Sequence, residues 1–461
     1  MIAVVIGFLA VALIGTLALH GPERAVDPRP MRRVELPKLA LAVAVVTAAF
    51  LVQLGFVSAA ARSQIPFPAW FRALPLLPID DRGPLYGHAP FWTAGALCTL
   101  LETLALYAVY RIGADRQFGR RARAVVCCGA GAMLLAAWLA PALTSFDMYA
   151  YAGSAHVPDP YHPPARAFAG EFAVLNRLYG IPIFPSPYGP VWLALARVAL
   201  APFAGLDAQL HALRLLGALC LIACVPALRM LRFGAAELAL VALNPGLIAD
   251  FVLDGHNDVV AIALALWALA LGRRLPAAGV LCGALAGGVK LPFLAIGALA
   301  TAGAKAAPVR LGGALLAIAG GAGISALLGG RDYLQAIATT SRLYGAALRD
   351  PLVNGAHLAL ALLALAAVAL AVSTRRSWPT ASFAFVALAA AFFGWYVAWG
   401  LPYAAYERRW FAVFALSLPP LTFLLATFYA GSVLLSLSLT LAVIFCPLAT
   451  YLVLRRRRRP A

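Results

Sequence analysis

Charge is scarce in this sequence, and negative charge is scarcer still. Only 12% of its 461 residues are charged, and 18 acidic residues stand against 36 Lys and Arg. That excludes an ordinary soluble domain, whose surface needs many more polar side chains. No long soluble domain interrupts the apolar runs, although polar connections stand at 61–90 and 144–190. Segments of about ten residues with alternating polarity are also missing, which excludes a transmembrane β-barrel. The seven cysteines lie almost all in apolar runs and have no metal-type spacing. Cys127 with Cys128, and Cys220 with Cys224, read as small core- or lipid-facing residues. No G-x-G-x-x-G or Walker loop is present. Nor is there an internal repeat of the kind that marks the two halves of a secondary transporter.

What remains is apolar sequence, 63% of the chain. Runs of roughly 18 or more apolar residues mean membrane-crossing helices. Spans are expected near 2–19, 38–60, 91–110, 124–143, 209–228, 235–252, 258–272, 277–290, 291–304, 309–329, 352–373, 378–397, 410–430 and 432–454. The fold class is therefore all-α, a polytopic transmembrane helical bundle of about 12–14 spans. The first run, Ile2 to Leu19, has no basic leader and no cleavage site, so it reads as a retained helix. The organisation expected is amino-terminal helices over 1–123, a central helical region over 124–405 with a polar loop at 144–190, and carboxy-terminal helices with a basic tail over 406–461.

The net charge of +18 comes from arginine clusters between apolar runs. This pattern sets membrane orientation and excludes nucleic acid as the partner. Arg120, Arg121, Arg123, Arg273, Arg274, Arg375 and Arg376 read as cytoplasmic anchors. The terminal run Arg455 to Arg459 suits anionic membrane lipid, though the span count leaves it on the opposite side from the others. The same count puts the 144–190 loop, the 254–258 turn and the 395–403 aromatic segment together on the outer face. Residues 191–204 are short and proline-bounded, and fit a helix lying in the interface.

The few ionisable residues within or beside the apolar runs are functional candidates, because each must offset its desolvation. Asp147 follows a long apolar run and is flanked by Tyr149, Tyr151 and Tyr161, with prolines 158, 160, 163 and 164 stiffening the loop. A carboxylate there suits a general base acting on a hydroxyl, and aromatic faces suit sugars. An ordinary helix-end carboxylate would look the same. Asp250, Asp254 and Asp258 recur every four residues beside His256 and Asn257. On one continuous helix they share a face and repel. Alternatively, Gly255 ends one helix and Asp258 caps the next. These carboxylates offer oxygen ligands of the kind divalent cations take, but no complete ligand set. Lys290 falls at a turn between two short helices broken by Pro292, placed to bind a phosphate as a point charge. Snorkelling to the interface is its plainer explanation. Arg342 and Arg349 lie in the same outer region. Trp395 and Tyr396 form either an interfacial aromatic belt or a sugar platform. Glu102, inside a span, is expected to be paired within the bundle.

These residues occur as an ordered series: Phe146-Asp-Met-Tyr-Ala-Tyr-Ala-Gly153, Asp159-Pro-Tyr161, Ser186-Pro-Tyr188-Gly-Pro190, Asn244-Pro245, Gly255-His-Asn-Asp258, Val289-Lys-Leu-Pro292, then Trp395-Tyr396 with Leu401-Pro402. The series resembles the GT-C superfamily of integral-membrane glycosyltransferases. It is most similar to the polyprenyl-phosphate-mannose-dependent α-mannosyltransferases. The resemblance implies transfer of a sugar, mannose first, from a polyprenyl-phosphate donor to a lipid or glycan acceptor, with inversion. It places that reaction outside the cytoplasm, at a bacterial plasma membrane. It maps the base onto Asp147, the sugar-facing segment onto Gly255, His256, Asn257 and Asp258, and the phosphate-facing cation onto Lys290; Asp254, beside that segment, is added to the substrate-binding set. Tyr188 joins the substrate-binding set. Many relatives carry a second acidic residue beside the first-loop aspartate. Here the neighbours are Thr144, Ser145 and Met148, so no metal-binding aspartate pair is evident. The rival from another class is a secondary transporter of a polar or lipid-linked solute.

Overall fold

The computed structural model describes residues 29–63, 68–78, 89–114, 116–344, 351–376, 394–408 and 410–429. The expected spans at 2–19 and 432–454, most of the one at 378–397, and the tail Arg455 to Arg459 lie outside them. Among the described residues the architecture is helical. The strand content is two bridges of two residues, pairing Arg29–Pro30 with Arg116–Gln117 and Leu77–Pro78 with Ala142–Leu143. The all-α polytopic class stands. Among the described residues, five helices are long and apolar enough to cross a membrane, or six if one bent pair is a single span. Several further apolar helices run 10–17 residues. The chain therefore mixes full-length helices with short ones.

The first described helices, α1 (Glu35–Arg62), α2 (Ala89–Gly113) and α3 (Arg120–Leu139), pack together at one side. Helix α1 has Glu35 in its first turn and Arg62 in its last, each matching the local end of the helix dipole. Glu35 also accepts from Arg116 Nη2 at 2.8 Å, which pins the α2–α3 connection to α1. Glu102, inside α2, is 1% exposed, and its Oε1 has no hydrogen-bond partner among the described residues.

Beyond α3 the helices shorten around the site. They are α4 (Asp147–His156), α5 (Pro190–Leu200), α6 (Leu206–Met230), α7 (Ala235–Ala242) and α8 (Pro245–Ile248). The run expected as one span at 235–252 bends by 43° at Asn244-Pro245. Pro245 ends α7, and Asn244 caps α8 by accepting from Leu247 N at 3.2 Å. A π-helical turn, Ala249–Leu253, then leads to Gly255. Helix α9 (Asp258–Gly272) is apolar and buried nearly all round, which makes it the centre of the bundle. It packs against α6 and α10 (Pro276–Val289), and α10 packs in turn on α12 (Ala307–Tyr344). Between them, α11 (Phe293–Gly297) starts just after Lys290. Two short helices therefore flank Lys290, in agreement with the break expected at Pro292. Helices α13 (Pro351–Thr374), α14 (Leu401–Glu407) and α15 (Phe411–Tyr429) complete the described bundle.

Candidate active site

The site forms where α4, the 254–258 turn, the end of α10 and the 394–400 segment meet. Asp147 begins α4, where the helix N-terminus favours a carboxylate. Its Oδ2 lies 3.2 Å from His256 Nδ1 and 3.4 Å from the Tyr151 hydroxyl. Among the described residues its Oδ1 has no partner. The exposures set the direction of this pair: Asp147 is 32% exposed and His256 is 0%. A substrate therefore meets the carboxylate, with the imidazole behind it. Tyr151 is fully buried, edge-on to Tyr188 and Trp192. Its hydroxyl accepts from Asn257 N at 3.2 Å and also lies 3.2 Å from Asn257 Oδ1, which ties α4 to the turn.

The turn exists because of Gly255. Its φ of +59° is left-handed, and a Cβ there would lie 2.4 Å from Met148 Sδ on α4. The aspartates at 250, 254 and 258 consequently do not share one helical face. Asp250 lies in the π turn, where Thr422 Oγ1 donates to its Oδ2 at 3.3 Å. Asp254 accepts from Thr144 N at 2.7 Å and from the Thr144 hydroxyl, so it braces the residues just ahead of Asp147. Asp258 starts α9, with Asn257 at the capping position expected for Asp258. Its Oδ1 accepts from Lys290 Nζ at 2.6 Å and from Trp399 Nε1 at 2.5 Å.

Lys290 closes the other end. Its ammonium sits 4.4 Å from the Tyr396 ring centre and 5.2 Å from that of Trp399, an arrangement that holds a cation over aromatic faces. Its side chain keeps 16% exposure while Asp258 has none. Trp395 stacks on His256, with centroids 3.8 Å apart and planes 16° apart. The one 394–400 segment thus touches both the His256 end and the Lys290 end. Among the described residues no three His, Cys, Asp or Glu side chains are grouped to hold a metal ion.

The polar loop folds back on itself. Ser186 N donates to Pro160 O at 2.8 Å, and the Tyr161 hydroxyl donates to Tyr188 O at 3.1 Å, so the Asp159-Pro-Tyr and Ser186-Pro-Tyr motifs pair. Partial burial would raise the Asp159 carboxyl, but the backbone N–H groups of Tyr161 and His162 outweigh it and hold the group below the usual range. Gly189 then docks on the end of α10. Its N–H donates to Val289 O at 3.2 Å, and a Cβ there would lie 2.2 Å from Gly288 O. This contact sets Tyr188 beside the Lys290 turn.

The structure thus gathers Asp147, Tyr151, Tyr188, Asp254, His256, Asn257, Asp258, Lys290, Trp395 and Tyr396. Tyr161 braces the loop. Tyr149 is not part of the group: it is fully buried, and its hydroxyl donates to Leu76 O at 2.6 Å. The side chain of Arg342 lies outside the described residues, as does Arg349.

Arg214 is the residue that sequence reasoning passed over. It is 0% exposed and donates to Leu253 O, Trp138 O, Ala140 O and Ala142 O at 2.8, 3.1, 2.5 and 2.9 Å. Those carbonyls end α3, follow it at Ala142 and end the π turn, so one cation satisfies two helix C-termini and ties the segment leading to Asp147 to the 254–258 turn. A charge inside a span was the available signal. Replacing Arg214 with Met leaves these carbonyls without their donor. The expected loss is on the order of 3 kcal/mol or more, read as a lower unfolding midpoint in detergent; an unchanged midpoint would refute the bracing role.

The long apolar helices mark an integral membrane protein. Residues 42–306 match the family described as alpha-(1->6)-mannopyranosyltransferase, N-terminal domain, and the chain belongs to that family. The activity it supports is mannosyl transfer between a sugar donor and an acceptor. No curated protein and no solved structure matches the sequence.

Proposed function

We propose that the chain transfers mannose from a polyprenyl-phosphate carrier to a hydroxyl of a lipid or glycan acceptor. In this reading the enzyme is of GT-C type, and residues 124–405 form its catalytic core. It works on the extracytoplasmic side of a bacterial plasma membrane and inverts the anomeric centre. The observation that carries the reading is a part-open carboxylate, Asp147, held against His256, and a part-open ammonium, Lys290, held against Asp258 two residues further on. Only the buried 256–258 turn separates the groups that hold them.

The chemistry follows from the two ends. Asp147 accepts the acceptor's hydroxyl proton as that oxygen bonds to the anomeric carbon. The bond from that carbon to the phosphate oxygen breaks, and its electron pair leaves with the phosphate. Lys290 offsets the charge gathering there. Attack from the face opposite the phosphate gives inversion. Tyr188 and Tyr396 supply aromatic walls for the sugar, with buried Tyr151, Asn257 and the Trp395–His256 stack fixed behind them.

The test is transfer by the purified protein in liposomes, given radiolabelled polyprenyl-phosphate mannose and a panel of lipid and glycan acceptors. Formation of a mannosylated product, with the inverted linkage seen by NMR, supports the reading. Solute uptake without transfer favours the transporter. Transfer from a soluble nucleotide sugar alone would remove the lipid donor.

A further inference from the structure

His256 is buried without the partners a buried imidazole needs. Neither ring nitrogen completes a hydrogen bond, although both are shielded from solvent. Asp147 Oδ2 lies 3.2 Å from Nδ1 but out of line for a hydrogen bond. The other carboxylates that act on the ring are already engaged, Asp254 by Thr144 and Asp258 by Lys290 and Trp399. Asp250 is bound by Thr422. On its face, the ring is clamped by Trp395. The stack hinders rotation about Cβ–Cγ, which keeps Nδ1 and not Nε2 on the Asp147 side, within reach of Oδ2. Hydrogen bonds in an empty active site are often misaligned in this way and tighten when substrate arrives.

We propose that His256 is a positioning residue for Asp147. Its Nδ1–H donates to Oδ2 and Trp395 locks the ring, which leaves Oδ1 aimed at the acceptor hydroxyl. The reacting proton goes to Asp147, and His256 touches no substrate. This rests on Asp147 being the base, as proposed above. The arrangement reverses the order in which a histidine acts and an aspartate orients it, and the two exposures dictate the reversal.

The nitrogen that works can be identified by amide substitution. An asparagine amide falls near the place of Nδ1, and a glutamine amide near that of Nε2. His256→Asn should keep kcat within a few-fold of the parent. His256→Gln should lose about 10²-fold, the scale of a misplaced reacting group, with donor KM little changed. In an Asp147→Asn background neither change should lower the residual rate further, because both act through the same carboxylate. Trp395→Leu, which leaves both nitrogens, should lower kcat in the parent and not in that background.

Rates are measured with radiolabelled donor over hours, beside unfolding midpoints. Better rescue by Gln than by Asn, or multiplicative losses in the Asp147→Asn background, would overturn the proposal. Turnover equal to the parent in both His256 variants would overturn it too. Full turnover in Asp147→Asn alone would instead sink the function reading on which it rests. If the His256 variants do not fold, the Trp395→Leu pair decides by the same criterion.

Discussion

Asp147→Asn is expected to lower turnover by about 10²- to 10⁴-fold, the usual contribution of a positioned general base. The substitution keeps the shape of the side chain. An amide can still meet the Tyr151 hydroxyl at the position of Oδ2, 3.4 Å away in the parent. It cannot take the proton from an attacking hydroxyl. The loss should therefore appear in kcat, with donor KM within a few-fold of the parent, because the phosphate-facing groups are untouched. With 32% exposure, the carboxylate also has room for the change, so the unfolding midpoint should hold. Initial rates at saturating donor, with a thermal melt alongside, give the answer. Full turnover in a folded variant would remove Asp147 as the base. A large rise in donor KM with kcat intact would recast it as a sugar-binding group.

Much of this site is legible in the sequence because ionisable residues are so few. An aspartate after a long apolar run, a Gly-His-Asn-Asp segment and a lysine before a proline stand out against an apolar background. The physics that marks them, desolvation, needs no knowledge of the fold. Partners are another matter. Arg214 works through backbone carbonyls, which carry no side-chain signature. Thr144 looked like a missing acid in the sequence. In the structure it binds one, Asp254, whose backbone lies 110 positions away. The spacing of four between Asp250, Asp254 and Asp258 misleads for a related reason. Such spacing implies a shared face only while the helix continues, and the π turn and Gly255 end it. Tyr149 and Tyr151 are two residues apart on a helix and so point different ways, one to Leu76 and one to the site. Short helices hide in long apolar runs as well, since composition does not record where Asn244-Pro245 bends a span.

Lys290→Met is expected to have two large effects that a second substitution separates. The first is catalytic. Without the ammonium nothing cationic remains among the described groups at the Asp258 end of the site, and the departing phosphate loses its stabilisation, about 10²- to 10³-fold in rate. The second is structural. Lys290 Nζ is 2.6 Å from Asp258 Oδ1, and Asp258 is wholly buried with Oδ2 lacking any hydrogen bond. Trp399 Nε1 still donates to Oδ1, but one neutral donor does not replace a charge. Removing one partner of a buried pair costs about 3–5 kcal/mol, so Lys290→Met alone should melt early as well as turn over slowly. Lys290→Met with Asp258→Asn removes both charges together. The amide can keep an oxygen on Trp399, and the uncompensated carboxylate is gone, so the melting point should return most of the way. Turnover should not return, because the cation that meets the phosphate is still absent. Asp258→Asn alone should fold and keep part of its activity, with Lys290 held by the Tyr396 and Trp399 rings. The four proteins, compared by unfolding midpoint and by kcat/KM for the lipid donor, separate the two effects. If the double variant regained turnover with its stability, Lys290 would be no more than the counter-ion of Asp258, and the phosphate would have to be met by another group.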